Sequence, residues 1–383
     1  MTRRVRVAEE IKEQILYGLP HSLYTGIARS YLRTQGIPFR EVSSHHPDFA
    51  RHIKPIIQRS IVPVLVTPAG EIIQDSLDII DHFEQKQPRY PAYPDTPLQR
   101  ILAVLIQYYG SQSLLRHAMH YRWSYLEQQQ NFLYDAFSNG APPGVAETLM
   151  QRMQSYLPGL GVTADSIPQI EASYHELLAV LNRHFSEHPF VFGGRPSVAD
   201  YGLIGPLFAH LGRDPAPAGV MKREAPRVYR WVERMLAPGL DAVEFPDYGT
   251  AWIAEDAIPE TLKALLHLMA RDMLPELTDK LAYLDAWVSE HQPADGEAVS
   301  AKPHQRMIGQ VHTHFRGVPV TAGVEPYLLY ILRRATAVLA DLNETDRQRV
   351  STALTQVGLL EAVPQPSSYS VGRRNHIEVW ERQ

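Results

Sequence analysis

Apolar and polar positions alternate in two ways over the first 90 residues. Three apolar runs have the length of strands: residues 14–19 (QILYGL), 37–42 and 61–67 (IVPVLVT). A shorter run follows the turn-forming Pro68-Ala69-Gly70. Residues 25–36 and 76–83 instead place apolar side chains on one helical face, and Gly36 is a typical helix stop. The order strand, helix, strand, strand, strand, helix predicts a small α/β domain.

The rest of the chain has a mostly helical pattern. Residues 88–97 contain four prolines and predict a linker. A long periodic segment over 98–130 follows, with a predicted interruption at Gly110, and Ser197 with Asp200 predicts a capping box. Beyond residue 250 the pattern predicts one helix or a helix pair over 259–291, helices over 324–342 and 344–357, and a terminal strand or tail over 376–380.

These patterns divide the chain into five segments. We expect an N-terminal extension (1–14), an α/β domain (15–88), a linker (89–97), an all-α domain (98–250) and a mostly helical C-terminal extension of unknown role (251–383).

Composition narrows the class of protein. The 383 residues carry a net charge of −5, which gives no electrostatic footprint for nucleic acid. Cysteine is absent, so disulfides, cysteine-based metal sites and protein thiol chemistry are excluded. The basic start of the chain has no apolar run behind it, and no stretch approaches the roughly 18 apolar residues of a membrane span. We expect a soluble, cytoplasmic protein.

Histidine is plentiful, with 17 residues, but its spacing does not favour a metal site. His117 and His120 lie three apart on a predicted helix, and His312 and His314 lie two apart. Neither pair has the HExxH arrangement of a zinc helix. We therefore expect no bound metal.

Four motifs, in this order and spacing, resemble the cytosolic glutathione transferase superfamily over about residues 15–238. They are Ser22-Leu23-Tyr24-Thr25 after the first strand, Val62-Pro63-Val64-Leu65, Asp75-Ser76 with Ile79, and Ser197 to Asp200. The resemblance implies a thioredoxin-like α/β domain followed by an all-α domain. It also implies glutathione as a co-substrate and a homodimer with a role in detoxification.

The resemblance places glutathione on the first domain. Ser76 at a helix start would bind the α-carboxylate, since helix N-termini attract anions, and Asp75 would face the ammonium group. Val62, before a Pro63 that is cis in the family, would pair with the cysteinyl backbone. Relatives often hold the glycyl carboxylate just before this motif, where this chain has Arg59, with Lys54, His52 and His46 as alternatives.

Ser22 occupies the position of the family's catalytic Ser or Cys. A hydroxyl donor at a helix N-terminus would stabilise the glutathione thiolate. Tyr24 and Thr25 are alternative hydroxyls. Leu23 replaces the usual proline, so the resemblance does not fix the conformation of the local turn or which hydroxyl meets the sulfur.

The acceptor pocket is predicted on the helix after the linker, where aromatic residues are dense. The predicted lining residues are Tyr108, Tyr109, His117 and Tyr121. The leading hypothesis is an enzyme that adds glutathione to a hydrophobic electrophile or uses it to cleave a bond. The alternative is a non-catalytic glutathione-binding or scaffolding protein of the same fold.

Overall fold

The computed structural model describes residues 13–365 and 368–383, so most of the predicted N-terminal extension lies outside the described residues. The α/β domain is a four-stranded sheet flanked by helices. Its strands are β1 (Gln14–Gly18), β2 (Phe39–Ser43), β3 (Val64–Val66) and β4 (Ile72–Gln74), and its helices are α1 (Leu23–Gln35), α2 (Lys54–Ile57) and α3 (Ser76–Glu84). The spatial order is β2-β1-β3-β4. β1 pairs with β2 in parallel, while β3 pairs antiparallel with both β1 and β4.

Alternation along the strands divides the sheet between two apolar layers. Leu16 and Leu65 point to the main core, which includes Ile27 of α1 and Ile80 of α3. The opposite face packs in a smaller cluster around Ile57. As predicted, α1 ends at Gly36, whose positive φ of 68° allows its amide to donate back to the helix.

The second part of the chain is helical up to residue 236. Its helices are α4 (Pro97–Tyr108), α5 (Leu115–Trp123), α6 (Leu126–Ser138), α7 (Val145–Gln154), α8 (Ile167–Glu187), α9 (Val198–Ala209), α10 (Pro215–Glu224) and α11 (Pro226–Leu236). The long segment is interrupted after α4 by a π-helical turn, Tyr109–Ser113. Gly110 lies there against α9, where a Cβ would come within 2.5 Å of the Gly202 carbonyl carbon. The predicted capping box of Ser197 and Asp200 opens α9.

The C-terminal extension contains two β-hairpins that the sequence analysis did not predict. It consists of α12 (Glu260–His291), β5 (Gly309–Phe315), β6 (Val318–Val324), α13 (Tyr327–Ala340), α14 (Glu344–Gln356), β7 (Tyr369–Arg374) and β8 (Ile377–Arg382). The helix expected over 324–342 begins later, because β6 runs to Val324. The expected terminal strand is present as β8.

Each hairpin turns through two residues with positive φ. Arg316 and Gly317 join β5 to β6, while Asn375 and His376 join β7 to β8. Two-residue turns of this kind match the twist of paired strands. The β7–β8 unit, residues 369–382, is called the C-terminal hairpin below.

The extension packs along the two preceding domains rather than standing apart. α12 lies on α8, α13 lies on α4, and the C-terminal hairpin contacts α13. The hairpin also meets α12, where the rings of Trp380 and Trp287 stack with centroids 5.2 Å apart. None of the described helices combines the length and apolar character that crossing a membrane requires.

Candidate active site

The strand register gathers three predicted motifs at one edge of the sheet. Tyr17, near the end of β1, lies opposite Val64 at the start of β3, and Val64 lies opposite Gln74 at the end of β4. The Asp75 amide donates to the Pro63 carbonyl at 3.3 Å. The segments that carry Ser22, Val62 and Ser76 therefore all leave the sheet at the same end.

Ser22 is the N-cap of α1. Its Oγ accepts from the Thr25 amide at 3.3 Å, which leaves the hydroxyl proton free to donate. The loop before it is held by buried Arg29, which donates to the Leu19 carbonyl at 3.2 Å and forms two 2.6 Å bonds with Glu41. Ser22 thus presents a half-buried donor on a positively polarised helix end.

The two alternative hydroxyls are placed differently. Thr25 is fully buried, and its Oγ1 accepts from the Leu19 amide at 3.4 Å. Tyr24 donates to the Ser111 carbonyl at 3.3 Å, and burial raises its pKa to about 12, so the phenol stays protonated. Ser22 and Thr25 both keep a hydroxyl proton that no described residue accepts, but Thr25 is fully buried, so Ser22 is the accessible hydroxyl with a proton to donate.

Leu23, which stands where relatives have proline, fills the contact between α1 and α9. A Cβ on Gly205 of α9 would lie only 2.8 Å from its Cδ2. The substitution therefore supplies packing between the two domains, while the helix still begins directly after Ser22.

Two further predicted groups have no hydrogen-bond partner among the described residues. The Val62–Pro63 bond is cis, as the resemblance implies, and no described residue hydrogen-bonds the Val62 backbone. Ser76 is the first residue of α3, and its Oγ bonds to none of the described residues. The N-cap is Asp75, which accepts from the Leu77 amide at 2.8 Å. Ser76 is therefore the first helical residue and not the cap.

Asp75 and its neighbour Asp78 face the extension. The Tyr327 hydroxyl donates to Asp75 at 2.7 Å, and Arg373 donates to Asp78 at 2.8 Å and to the Gln74 carbonyl at 2.7 Å. Arg373 lies 3.8 Å from Asp75. Burial, with the charge of Asp75, raises the pKa of Asp78 to about 6. The backbone at Asp75 has a φ of 104°, the type of strain often found at functional sites.

Arg59 also faces the extension. Its side chain is wholly buried and donates to Glu378 of the C-terminal hairpin at 2.6 Å. The same nitrogen donates to the His376 carbonyl. The other two guanidinium nitrogens, Nε and Nη1, are buried without a partner among the described residues.

A small cavity of about 80 Å³ lies between α4, α12 and β6. Its lining includes Tyr108, Gln112, Leu328, Glu325, Arg116, Glu276 and Lys280. Arg116 and Lys280 both bond to Glu276, and despite burial they lower the pKa of that carboxyl to about 2. The lining is therefore mixed, with ionic groups beside apolar ones.

Of the predicted acceptor-pocket residues, Tyr108 alone lines this cavity. Tyr121 borders a separate surface pocket of about 380 Å³ and stacks on Tyr125. Tyr109 is buried in the core. His117 is buried against Ser173, 2.9 Å from its hydroxyl. The structure does not bring the four residues together, because at about 100° per residue the offsets of 1, 9 and 13 positions from Tyr108 do not share a helical face.

No three His, Asp or Glu side chains within residues 13–365 and 368–383 are grouped to hold a metal ion. His117 and His120 bond separately, to Ser173 and to Glu171.

Sequence comparison assigns two parts of the chain to known domains. Residues 16–91 match the glutathione S-transferase N-terminal domain, and residues 164–234 match the glutathione S-transferase C-terminal domain. The chain therefore carries both domains of the glutathione transferase superfamily, followed by a long C-terminal extension. A comparison with curated protein sequences returned no match.

Many solved structures are similar to this chain. A glutathione S-transferase of Ceriporiopsis subvermispora, in complex with glutathione, is 18% identical over 59% of this chain and 98% of its own, with a TM-score of 0.41. A glutathione S-transferase from Rhodospirillum rubrum is 14% identical over 66% of this chain and 99% of its own, with a TM-score of 0.38. Glutathione S-transferase III, without ligand, is 18% identical over 62% and 97%, with a TM-score of 0.36.

Proposed function

We propose that this protein binds glutathione at the sheet edge and activates its thiol for attack on an electrophile. The observation that carries the proposal is the Ser22 hydroxyl, half-buried and free to donate on the N-terminus of α1. It stands at the same edge as the unpaired Val62 backbone and the unpaired Ser76 hydroxyl.

Each group has a task in the proposed reaction. The Ser76 hydroxyl and the start of α3 bind the α-carboxylate, and the Val62 backbone pairs with the cysteinyl unit. Ser22 donates to the sulfur and favours the thiolate, because a free thiol has a pKa near 8.5 and is mostly protonated at neutral pH. The thiol proton passes to solvent, and the thiolate forms a bond to the electrophilic carbon. In a substitution the leaving group departs with the electrons of the broken bond, and in an addition the π electrons of a polarised double bond move to the far atom, which takes a proton from solvent.

The cavity lined by Tyr108 is the proposed place for the electrophile. It is small, and Glu276, Lys280 and Arg116 lie on its wall beside Leu328. This lining suits a small electrophile that carries a polar group as well as apolar surface. Conjugation and glutathione-dependent bond cleavage both fit the proposal.

Titration of the bound thiol tests the role of Ser22. If Ser22 lowers the thiol pKa by about two units, the stabilisation is about 2.7 kcal/mol. Ultraviolet absorbance of the bound thiolate should then titrate about two units higher in Ser22→Ala than in the unmodified protein. Turnover near pH 7 should fall in the variant and partly recover at high pH. Ser186→Ala, at an exposed serine, is the control.

Coincident titration curves for Ser22→Ala and the unmodified protein would leave Ser22 as a helix cap only. Glutathione binding without turnover of any electrophile would favour the non-catalytic alternative.

Binding is tested separately at Ser76. Losing a hydrogen bond to a charged group costs roughly 1.5–3 kcal/mol. Calorimetry should therefore show glutathione binding more weakly to Ser76→Ala, and equal affinities would remove Ser76 from the site.

The homodimer, the cytoplasmic location and the role in detoxification remain predictions from the sequence and the resemblance. α13 of the same chain covers part of α4, so that face of α4 is not available to a partner copy. Light scattering at micromolar concentration should give twice the 43.3 kDa chain mass if the dimer forms.

A further inference from the structure

The C-terminal hairpin places a carboxylate where the glycyl carboxylate of glutathione is expected. Arg59 is the predicted partner of that group, and its only side-chain anion partner in the described chain is Glu378. Glu378 is itself nearly buried, and Arg59, Arg306 and Arg373 hold its pKa below the usual range despite burial. The expected ligand charge is thus supplied from within the chain.

The same hairpin places a cation where the ammonium group is expected. Arg373 lies 3.8 Å from Asp75 and donates to the adjacent Asp78 and Gln74. Its side chain is only 6% exposed. Glu378 links the two ends, since its Oε1 lies 3.7 Å from Arg373. Arg59, Glu378, Arg373 and Asp75 therefore form a row of alternating charges, called the charge row below.

Glutathione carries the same two charges in the same order, a carboxylate at its glycyl end and an ammonium group at its γ-glutamyl end. We propose that the C-terminal hairpin is an internal competitor for glutathione, with Glu378 on Arg59 and Arg373 on Asp75 standing in for the tripeptide's own charges. The inference rests on the proposed glutathione site. In this arrangement the tripeptide binds by displacing the hairpin from the charge row.

Unpaired donors beneath the hairpin indicate that its fit is incomplete. Arg59 has two buried nitrogens without a partner, and the Nε atoms of Arg306 and Arg373 are also buried and unpaired within the described chain. A buried guanidinium normally has its donors satisfied. Glu378 accepts from one nitrogen of Arg59, whereas a glycyl carboxylate has two oxygens and can accept from two nitrogens of the same guanidinium.

The hairpin covers the charged ends of the site and leaves its centre uncontacted. No residue of the hairpin hydrogen-bonds Ser22, the Val62 backbone or Ser76 Oγ. These are the groups assigned to the sulfur, the cysteinyl backbone and the α-carboxylate. Competition is therefore confined to the two end charges, and single substitutions in the hairpin can relieve it.

Calorimetry with the full-length protein and glutathione tests the inference. If the open state is populated to a tenth or less, apparent affinity is reduced at least tenfold. Arg373→Gln and Glu378→Gln should then bind glutathione about tenfold more tightly. Matched controls are Arg374→Gln and Glu381→Gln, whose side chains pair with Asp295 and Arg333 at the exposed side of the same strands. The controls should bind like the unmodified protein.

A shortened ligand separates the two ends. γ-Glutamylcysteine lacks the glycyl carboxylate and therefore does not compete with Glu378 for Arg59. Glu378→Gln should therefore improve the binding of glutathione more than that of the dipeptide, while Arg373→Gln should improve both.

Hydrogen exchange on the unmodified protein gives a result that does not depend on any variant folding. Saturating glutathione should speed exchange of the backbone amides in β7 and β8. Slower or unchanged exchange would overturn the inference but not the proposed glutathione site. The same conclusion follows if the unmodified protein binds glutathione and the two hairpin variants bind it no more tightly. Absence of binding in the unmodified protein and in both hairpin variants would overturn the proposed function, and the inference with it.

Discussion

The extension is attached to the two domains by different physical means. On the helical domain, α12 buries an apolar face that includes Leu265 and Met269, beside the ion pairs of Arg116 with Glu276 and of Arg271 with Glu176. His184 also lies 2.9 Å from Thr261 of α12. On the α/β domain, the contacts are mainly charged, through Arg59, Arg373 and Arg334.

This difference separates a permanent attachment from an exchangeable one. Burial of apolar surface is favourable wherever water is removed, and no small polar ligand replaces it. A buried ion pair gives little net stability, because desolvation offsets much of the attraction, and another molecule with the same charges can replace either partner. We therefore expect α12 to stay in place while the hairpin, whose buried Val371 and Trp380 pack on the extension itself, exchanges at its charged contacts with the α/β domain.

The largest predicted effect is on the α12 side. Leu265→Ala removes a fully buried side chain, and substitutions of this kind cost about 2–5 kcal/mol. Chemical denaturation should show a lower free energy of unfolding by that amount. His267→Ala, at an exposed position of the same helix, should change it little. A small effect of Leu265→Ala would mean that α12 is not a permanent attachment.

The second prediction concerns pH, because two buried histidines lie where α12 meets the helical domain. Burial is the main cause that lowers the pKa of His117 and of His184 to about 3. Below the unfolded value of about 6.5, the unfolded chain binds a proton that the folded protein does not, so stability falls as pH falls toward 3.

The free energy of unfolding should fall by about 1.4 kcal/mol per pH unit for each histidine, between the unfolded pKa of about 6.5 and the folded pKa of about 3. Denaturation at pH 7.5 and at pH 5 measures it. His184→Gln should reduce the pH dependence by one histidine's share, while His175→Gln, at an exposed residue, should not. An unchanged slope in His184→Gln would contradict the assignment.

The smallest predicted effect on stability is on the charged side. Arg334 and Asp81 pair at 2.5 Å with side chains 14% and 29% exposed. Because partly exposed pairs contribute little, Arg334→Gln should lower the free energy of unfolding by about 1 kcal/mol or less. If Arg334→Gln lowers the free energy of unfolding as much as Leu265→Ala does, the charged contacts with the α/β domain stabilise the fold as strongly as the apolar ones. The proposed contrast between the two attachments would then fail.

Local sequence signals predicted most of the first two domains. Gly36 ends α1, Gly110 marks an interruption after α4, and Ser197 with Asp200 caps α9. Each feature depends on residues close together in the chain, so its pattern is visible in the sequence. The hairpin turns at Arg316 and Asn375 were missed, because neither turn has the Asn-Gly or Asp-Gly pair that is typical of such turns.

The partners of the candidate site were not predictable in the same way. Arg59 was expected to bind a ligand carboxylate, and its partner in the structure is Glu378, 319 positions away. Tyr327 and Arg373 likewise meet Asp75 only through the folded chain. Patterns of hydrophobic spacing report which face of an element is buried, but they do not report which distant charge lies against it. An isolated buried arginine in a motif therefore has several possible partners.

The stacked rings of Trp287 and Trp380 give this protein an intrinsic optical signal. One indole lies on α12 and the other on β8, with planes 16° apart, so the pair spans the boundary between the fixed helix and the hairpin. If the hairpin lifts, Trp380 moves from a buried setting into water, and tryptophan emission shifts to longer wavelength. Stopped-flow fluorescence with no attached dye would then time the movement, and the other three tryptophans, which are not in the hairpin, would give a constant background.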